Sequence, residues 1–350
     1  MTTVHAVVPD GIDDPARPSG GNTYDRRVLD GLRVAGWTVH EHPVAGHWPR
    51  PDSTALAGLA AVVSEIPTDA VLLVDGLVAS CSADVFVEEA RRPRLVVLVH
   101  LPLEVADPAA APEEGRVLRS AAAVLATSDW TRRRLTDTYA LADDRVHVAH
   151  PGVDAAPLAP GTPPGSSLLC VGAVSPLKGQ TDLADALGRV ADLPWHCVLA
   201  GALDVDPDCV ADVRGRLASA DVSQRVSLVG PLGRHALQRA YAAADLVVVP
   251  SRAETYGMVV TEALARGLPV VATCVGGIPE ALGANGADVP GLLVAADGTE
   301  PLAAALRQWL ADADLRSRLR SRAAARRATL SPWSRTVADV ARVLERVSRD

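Results

Sequence analysis

Short apolar runs recur along this chain, each followed by a stretch with helical spacing, and few folds other than parallel strands joined by crossover helices accommodate that alternation. The first series of runs is Val4–Val8, Thr38–His40, Ala70–Val74, Leu95–Val99, Ala123–Ala126 and Val146–Ala149. Several are hydrophobic without a break, as strands covered on both faces should be. After His150-Pro151-Gly152-Val153-Asp154 the chain turns to APLAPGTPPGSS, a proline-, glycine- and serine-rich segment that reads as a linker. The series then restarts with Ser167–Val171, Trp195–Ala200, Val226–Leu228, Leu246–Val249 and Val270–Ala272. An α/β chain of 350 residues with two such series predicts two Rossmann-like, doubly wound domains, over 1–155 and 165–330. Facing each other, two such sheets would make a central cleft at the carboxyl ends of their strands. Val337, Val340, Val343, Leu344 and Val347 predict a C-terminal helix, over about 332–350, that packs back on the protein.

Composition narrows the partners. A net charge of −8 argues against a nucleic-acid-binding surface and against an anionic membrane as a permanent home. Cys81, Cys170, Cys197, Cys209 and Cys274 form no C-x-x-C pair and have no nearby histidine, so neither a zinc site nor a disulfide framework is expected. The N-terminal MTTVHAVVPD lacks the features of a signal peptide, and no run approaches the roughly 18 apolar residues of a membrane span. A cytoplasmic protein without stable membrane insertion is the expectation. Of the 34 basic residues only Lys178 is lysine, in a chain whose alanine and arginine abundance has the look of a GC-rich genome. That lone lysine marks a place where an ammonium is preferred.

The richest stretch runs from Val249-Pro-Ser-Arg252-Ala-Glu254-Thr-Tyr256-Gly257-Met258-Val259 through Glu262 to Gly267-Leu-Pro-Val-Val-Ala-Thr273. It reads as strand end, polar loop, helix, glycine stop and next strand. Gly257 frees the backbone at a helix start, where N–H groups and the helix dipole can receive a diphosphate, and Gly267 supplies the stop. Glu254 and Glu262, eight positions apart, can bracket a ligand across that helix start and accept hydrogen bonds from sugar hydroxyls. A second strand-loop-helix, Leu168 to Thr181, carries Lys178, whose ammonium can neutralise phosphate charge. It is not a Walker loop, which needs glycine before the lysine and Ser or Thr after it. In the first half, Gly20-Gly21-Asn22-Thr23-Tyr24 opens a helix and allows close backbone approach to a ligand. His100 ends the Leu95–Val99 strand, where polar groups meet substrate.

Gly20-Gly21, the strand to His100, Pro151-Gly152-Val153-Asp154, Val171-Gly172 through Lys178-Gly179, and the Glu254-to-Glu262 block stand in an order and spacing that resembles glycosyltransferase family 4, the retaining GT-B enzymes, in its actinobacterial type. The resemblance covers nearly the whole chain. It implies a metal-independent transferase, with no cofactor, that moves a sugar from a nucleotide-diphosphate sugar to an acceptor hydroxyl of a small molecule or a lipid-linked molecule. It implies that Lys178 contacts the donor diphosphate, Glu254 the donor sugar, Glu262 the ribose and His100 the sugar near the reacting centre. It also implies that the C-terminal helix crosses back to the N-terminal, acceptor-binding domain. His100, Lys178 and Glu254 are thus the candidate catalytic residues; Gly20, Gly21, Arg252, Tyr256, Gly257, Met258, Val259 and Glu262 are the donor-binding candidates, and Asn22 and Tyr24 the acceptor-binding ones. One departure stands out: the family usually carries arginine five residues before the lysine, where this chain has Ala173. Arg252 is the expected substitute.

Three other functions use the same features. The triplet Asp204, Asp206 and Asp208 could hold a divalent cation for metal-dependent transfer, although an aspartate- and proline-rich bend is an ordinary surface loop as well. A sugar-nucleotide epimerase would convert donor alone, and a non-catalytic nucleotide-sugar-binding protein would leave it intact. Arg132-Arg133-Arg134 beside Trp130 is the only stretch that suggests a membrane surface, and the net acidity opposes it.

Overall fold

The computed structural model describes residues 2–89, 94–284 and 288–349. The chain divides into two compact units, one of Met1–Asp14, Gly20–Gly152 and Ser331–Asp350, the other of Pro15–Ser19 and Val153–Leu330. The first holds β1 Thr3–Pro9, β2 Thr38–Val44, β3 Val71–Asp75, β4 Arg94–Val99, β5 Ala123–Ala126 and β6 Val146–Val148. The second holds β7 Ser167–Val171, β8 His196–Ala200, β9 Val226–Gly230, β10 Leu246–Val249, β11 Val270–Thr273 and β12 Gly291–Val294. Their orders are β2-β1-β3-β4-β5-β6 and β12-β11-β10-β7-β8-β9, all parallel. Each sheet reverses its winding once, between β1 and β3 in the first and between β7 and β10 in the second, and ligands of open α/β sheets bind at such switch points.

The central strands follow from composition: every residue of β3, β5, β10 and β11 is buried, because helices cover both faces of a parallel sheet. Two edges differ from expectation. β2 continues past His40 through Glu41, His42 and Pro43 to Val44, in unbroken register with β1. An edge strand has one unpaired side, so polar residues and a proline cost little there and leave no apolar signature. β12, four residues at the other sheet's edge, is too short and half-buried to be seen in the pattern. A Cβ on its Gly291 would collide with the Val270 carbonyl oxygen of β11.

The segment expected to be a linker is instead laid against the second unit. Thr162 donates its N–H and its hydroxyl to the two oxygens of Asp245, each at 2.6 Å, and Trp309 Nε1 donates to the Gly165 carbonyl at 2.7 Å. Proline and glycine here spare backbone donors and permit turns. They do not make a free spacer.

The C-terminal helix, Trp333–Arg349, belongs to the first unit and buries Val337, Val340, Val343, Leu344 and Val347; Asp350 lies outside the described residues. These side chains share a core with Val4, Val28, Leu29, Leu32 and Val96. The Gly20–Val34 helix approaches so closely that a Cβ on Gly31 would collide with Val337 Cγ2. Gly31→Ala is therefore expected to destabilise the protein by about 1–3 kcal/mol through overpacking. In chemical denaturation, the double variant with Val337→Ala should lose clearly less than the sum of the two single losses. Additive losses would mean that the two helices do not meet there.

Candidate active site

In the second unit the site forms where β7 and β10 lie side by side. β7 runs through Gly172 into a short turn, Pro176–Lys178, and β10 runs into the Ser251–Gly257 loop. Gly179 has φ +67°, and a Cβ there would collide with the Pro250 carbonyl, so only glycine lets the first loop rest on the second. The Arg252 N–H donates to the Leu177 carbonyl at 2.8 Å and fastens the two loops together. The result joins residues far apart in sequence: Lys178 Nζ donates to Glu254 Oε2 at 2.6 Å. The lysine side chain is 36% exposed and the glutamate 15%, so the pair faces solvent on one side.

Gly257, with φ +90°, precedes the Met258–Leu264 helix and offers no side-chain cap to its first turn, where Met258 and Val259 lie half-buried. One turn on, Glu262 Oε2 accepts a hydrogen bond from the buried Tyr241 hydroxyl at 2.7 Å, and burial raises the Glu262 carboxyl above the usual range. Arg266 stacks its guanidinium over the Tyr241 ring at 4.4 Å, so Tyr241 is clamped between them.

One donor-binding expectation needs correction here, and a second residue has a partner the sequence does not show. Tyr256 is only 9% exposed and packs in a core with Val260, Leu264 and Ile278, so its ring supports the loop rather than facing a ligand. Arg252, the expected substitute for the arginine missing at Ala173, makes a two-pronged pair with Asp182, both contacts at 2.8 Å. The Arg252 side chain is 52% exposed, so the pair holds it at the rim of the site.

Gly276 and Gly277 were not read from the sequence and belong to this site. A Cβ on either would collide with the backbone carbonyl of Glu254 or Thr255, and the Gly277 N–H donates to the Glu254 carbonyl at 3.0 Å. Their signal was a glycine pair between a strand end and a helix start, the form already noted at Gly20-Gly21. The acidic triplet does not converge: Asp206 caps the Pro207–Ser219 helix by accepting from the Cys209 N–H at 2.8 Å, and Asp204 pairs with Arg17 at 3.4 Å.

In the first unit the corresponding place is the carboxyl ends of β1, β3 and β4. His100 directly follows β4, and its Nε2 lies 2.6 Å from Asp25 Oδ1 and 3.6 Å from Asp75 Oδ2. Asp25 stands in the second turn of the Gly20–Val34 helix and Asp75 ends β3. A Cβ on Gly21 would sit 3.2 Å from His100 Cδ2, so the glycine gives the ring room; Gly20, beside it, is exposed. Asn22 donates to the Gly11 carbonyl at 3.4 Å. Tyr24, expected to touch an acceptor, is 1% exposed, donates its hydroxyl to the Ala149 carbonyl at 2.8 Å and packs edge-on to His100 at 5.2 Å. It holds the imidazole and offers no surface to an acceptor.

Burial pushes the Asp25 carboxyl up to about 7 and Asp75 well above the carboxylate range, the latter aided by the neighbouring Asp25, while burial lowers the His100 imidazole. Oxygen and nitrogen atoms of these three residues lie within 4.8 Å of one another, close enough to hold a metal ion in principle. Neither aspartate was a sequence candidate. An acid closing the buried run VLLVD at a strand's carboxyl end was the available signal for Asp75.

The Arg132–Arg134 cluster is largely spent within the first unit, since Arg134 grips Glu104 at 2.6 and 2.9 Å and Arg132 pairs with Asp143 at 3.2 Å. Among the described residues, no helix is long and apolar enough to cross a membrane.

Residues 17–156 match the family described as Glycosyltransferase Family 4, and residues 165–312 match Glycosyl transferases group 1. The chain belongs to glycosyltransferase family 4. Over 253 residues this family 4 chain is 33% identical to the D-inositol 3-phosphate glycosyltransferase of Jonesia denitrificans, a match that covers 67% of this chain and 59% of that protein. Its fold is the GT-B fold of sucrose-phosphate synthase from Thermosynechococcus elongatus, with TM-score 0.80, 20% identity and 99% of each chain covered. It is likewise that of Anabaena HepE, solved in complex with UDP-glucose, with TM-score 0.78, 18% identity and 99% and 100% of the two chains covered.

Proposed function

We propose that the protein is a retaining, metal-independent glycosyltransferase that takes a sugar from a nucleotide-diphosphate sugar and passes it to the hydroxyl of a small polar acceptor. The observation that carries this is the Lys178–Glu254 pair at the β7/β10 switch point, an ammonium and a carboxylate 2.6 Å apart beside the Gly257 helix start and the Gly276-Gly277 loop. The ammonium would move to the diphosphate, and the freed carboxylate would accept hydrogen bonds from the sugar. Stabilising the departing diphosphate lowers the barrier at the anomeric carbon most, because that is where charge develops. Tyr241 presets the Glu262 carboxylate for a ribose. Unit by unit, the donor falls to the second and the acceptor to the first.

The relative of Jonesia denitrificans suggests inositol phosphates as the first acceptors to try, and the UDP-glucose complex of HepE suggests uridine donors. The test is to incubate the protein in EDTA with UDP-, GDP- and ADP-sugars, each with inositol 3-phosphate, and to follow products by NMR. An α-linked product from an α-linked donor is the expected result. A β-linked product overturns retention, activity restored only by added Mg²⁺ or Mn²⁺ overturns metal independence, and conversion of donor alone to an isomer makes the protein an epimerase.

A further inference from the structure

Asp25 and Asp75 are 3% and 5% exposed, yet among the described residues neither carboxyl pairs with an arginine or lysine. Arg26, the nearest candidate, turns away to Asp13 and Glu41 at 2.7 and 2.8 Å. Asp75 Oδ1 accepts from the Leu77 N–H at 2.6 Å, and Asp25 Oδ1 faces His100 Nε2 at the same distance. Among the described residues, none donates to the buried Asp25 Oδ2. The void beside the two acids, walled by Ala6, Val8, Val28, Leu73 and Leu98, is about 10 Å³, the space of one water at most. Two ionised carboxylates cannot share so dry a place without a cation, whereas one proton between them removes the repulsion and gives the orphaned oxygen a hydrogen bond.

We propose that Asp25 and Asp75 hold a single proton between them and act as a positioning pair, which locks His100 as the neutral imidazole that donates from Nε2 and keeps Nδ1 as a hydrogen-bond acceptor for a substrate hydroxyl. The role of His100 towards substrate rests on the function proposed above; the proton and the tautomer do not. The raised Asp25 and Asp75 carboxyls agree with at least one proton on the pair, and the lowered imidazole agrees with a neutral ring. The other titratable groups near the pair are Arg26, Tyr24 and Cys81, and burial holds the last two protonated. A metal ion is the competing occupant. The 2.6 Å separation of Nε2 and Oδ1 is that of a direct hydrogen bond, and the metal arm of the experiment decides between the two occupants.

The experiment uses the full chain labelled with ¹⁵N-histidine, with His100→Gln to assign the signals, and reads the tautomer from two-bond proton–nitrogen correlations at pH 6.5. The wild type should show a neutral ring protonated at Nε2, and its signals should inflect wherever the pair changes its proton count. Asp25→Asn, which carries a neutral acceptor and a donor in place of the protonated acid, should keep the tautomer, move the inflection to that of Asp75 alone and leave turnover within about threefold of wild type. Asp25→Ala should mix the tautomers and lower kcat roughly 10- to 100-fold with the donor KM little changed, because orientation and not binding is lost. A wild-type ring that is protonated at both nitrogens or at Nδ1 alone overturns the proposal even if the alanine variant does not fold. So does a stoichiometric metal whose removal by EDTA shifts the His100 signals. The expected spectra in a protein that transfers no sugar would uphold the proton pair and overturn the function.

Discussion

Replacing Lys178 by alanine is expected to weaken binding of the nucleotide-diphosphate sugar on the order of 10- to 150-fold, since a charge-assisted phosphate contact contributes roughly 1.5–3 kcal/mol. The loss in kcat/KM should be larger still, about 100- to 1,000-fold, because the same ammonium meets more charge on the departing diphosphate than on the bound donor. Ala173 carries no charge five residues before the lysine, and Arg252 would have to leave Asp182 to replace it. In a chain that uses arginine for 33 of its 34 basic residues, Lys178→Arg is the sharper variant. The lysine stem lies 3.8 Å from where a Cβ on Gly172 would be, and a planar guanidinium needs more width than an ammonium in that passage. Partial recovery at best is the expected outcome. Stability should hardly move in either variant, because a pair this exposed contributes no more than about 1 kcal/mol. Calorimetric titration of UDP-glucose in EDTA checks both, and equal affinity in wild type and Lys178→Ala would remove the donor from this site.

What the sequence shows and what it hides divide along a physical line. β3, β4, β5, β10 and β11 are legible because a strand covered on both faces must be apolar throughout, so burial is written directly into composition. β2 beyond His40 and all of β12 are edge pairings, and backbone hydrogen bonds at an edge ask little of side chains. Lys178 and Glu254 were legible as chemistry, but their direct contact joins residues 76 positions apart and depends on how two loops meet. The two tyrosines were misread for a common reason. Each stands near a glycine of its loop, yet an aromatic ring buries more apolar area than almost any other side chain, and both Tyr24 and Tyr256 took the core. Asp25 was hidden most deeply: on a helix with Arg26 and Arg27 beside it, it has the pattern of a solvated face, and only the fold turns it inward to Asp75 and His100.

Asp245→Ala is expected to destabilise the second unit by about 3–5 kcal/mol. The carboxylate is fully buried just before β10 and is satisfied from four directions: the Thr162 N–H and hydroxyl at 2.6 Å each, the Ser167 N–H at 3.0 Å and Arg320 Nη2 at 2.6 Å. It thereby fastens the proline-rich segment, the start of β7 and the Ala313–Arg327 helix to one another. Truncation would strand the Arg320 guanidinium, 30% exposed, and leave two backbone donors without an acceptor. Asp245→Asn keeps an acceptor but loses the charge that Arg320 faces, and should lie roughly midway. For a unit of this size each kcal/mol is about 2–4 °C in Tm, so the alanine variant should melt on the order of 10 °C lower. Asp245 precedes β10 whereas Ser251 and Glu254 follow it, which puts the whole strand between this anchor and the donor site. Below its melting transition the variant should therefore bind UDP-glucose as the wild type does. A Tm within about 2 °C of wild type would mean that the proline-rich segment is a loose linker after all; a normal Tm loss accompanied by weakened binding in the folded state would instead couple this anchor to the Lys178–Glu254 loops through β7 and β10.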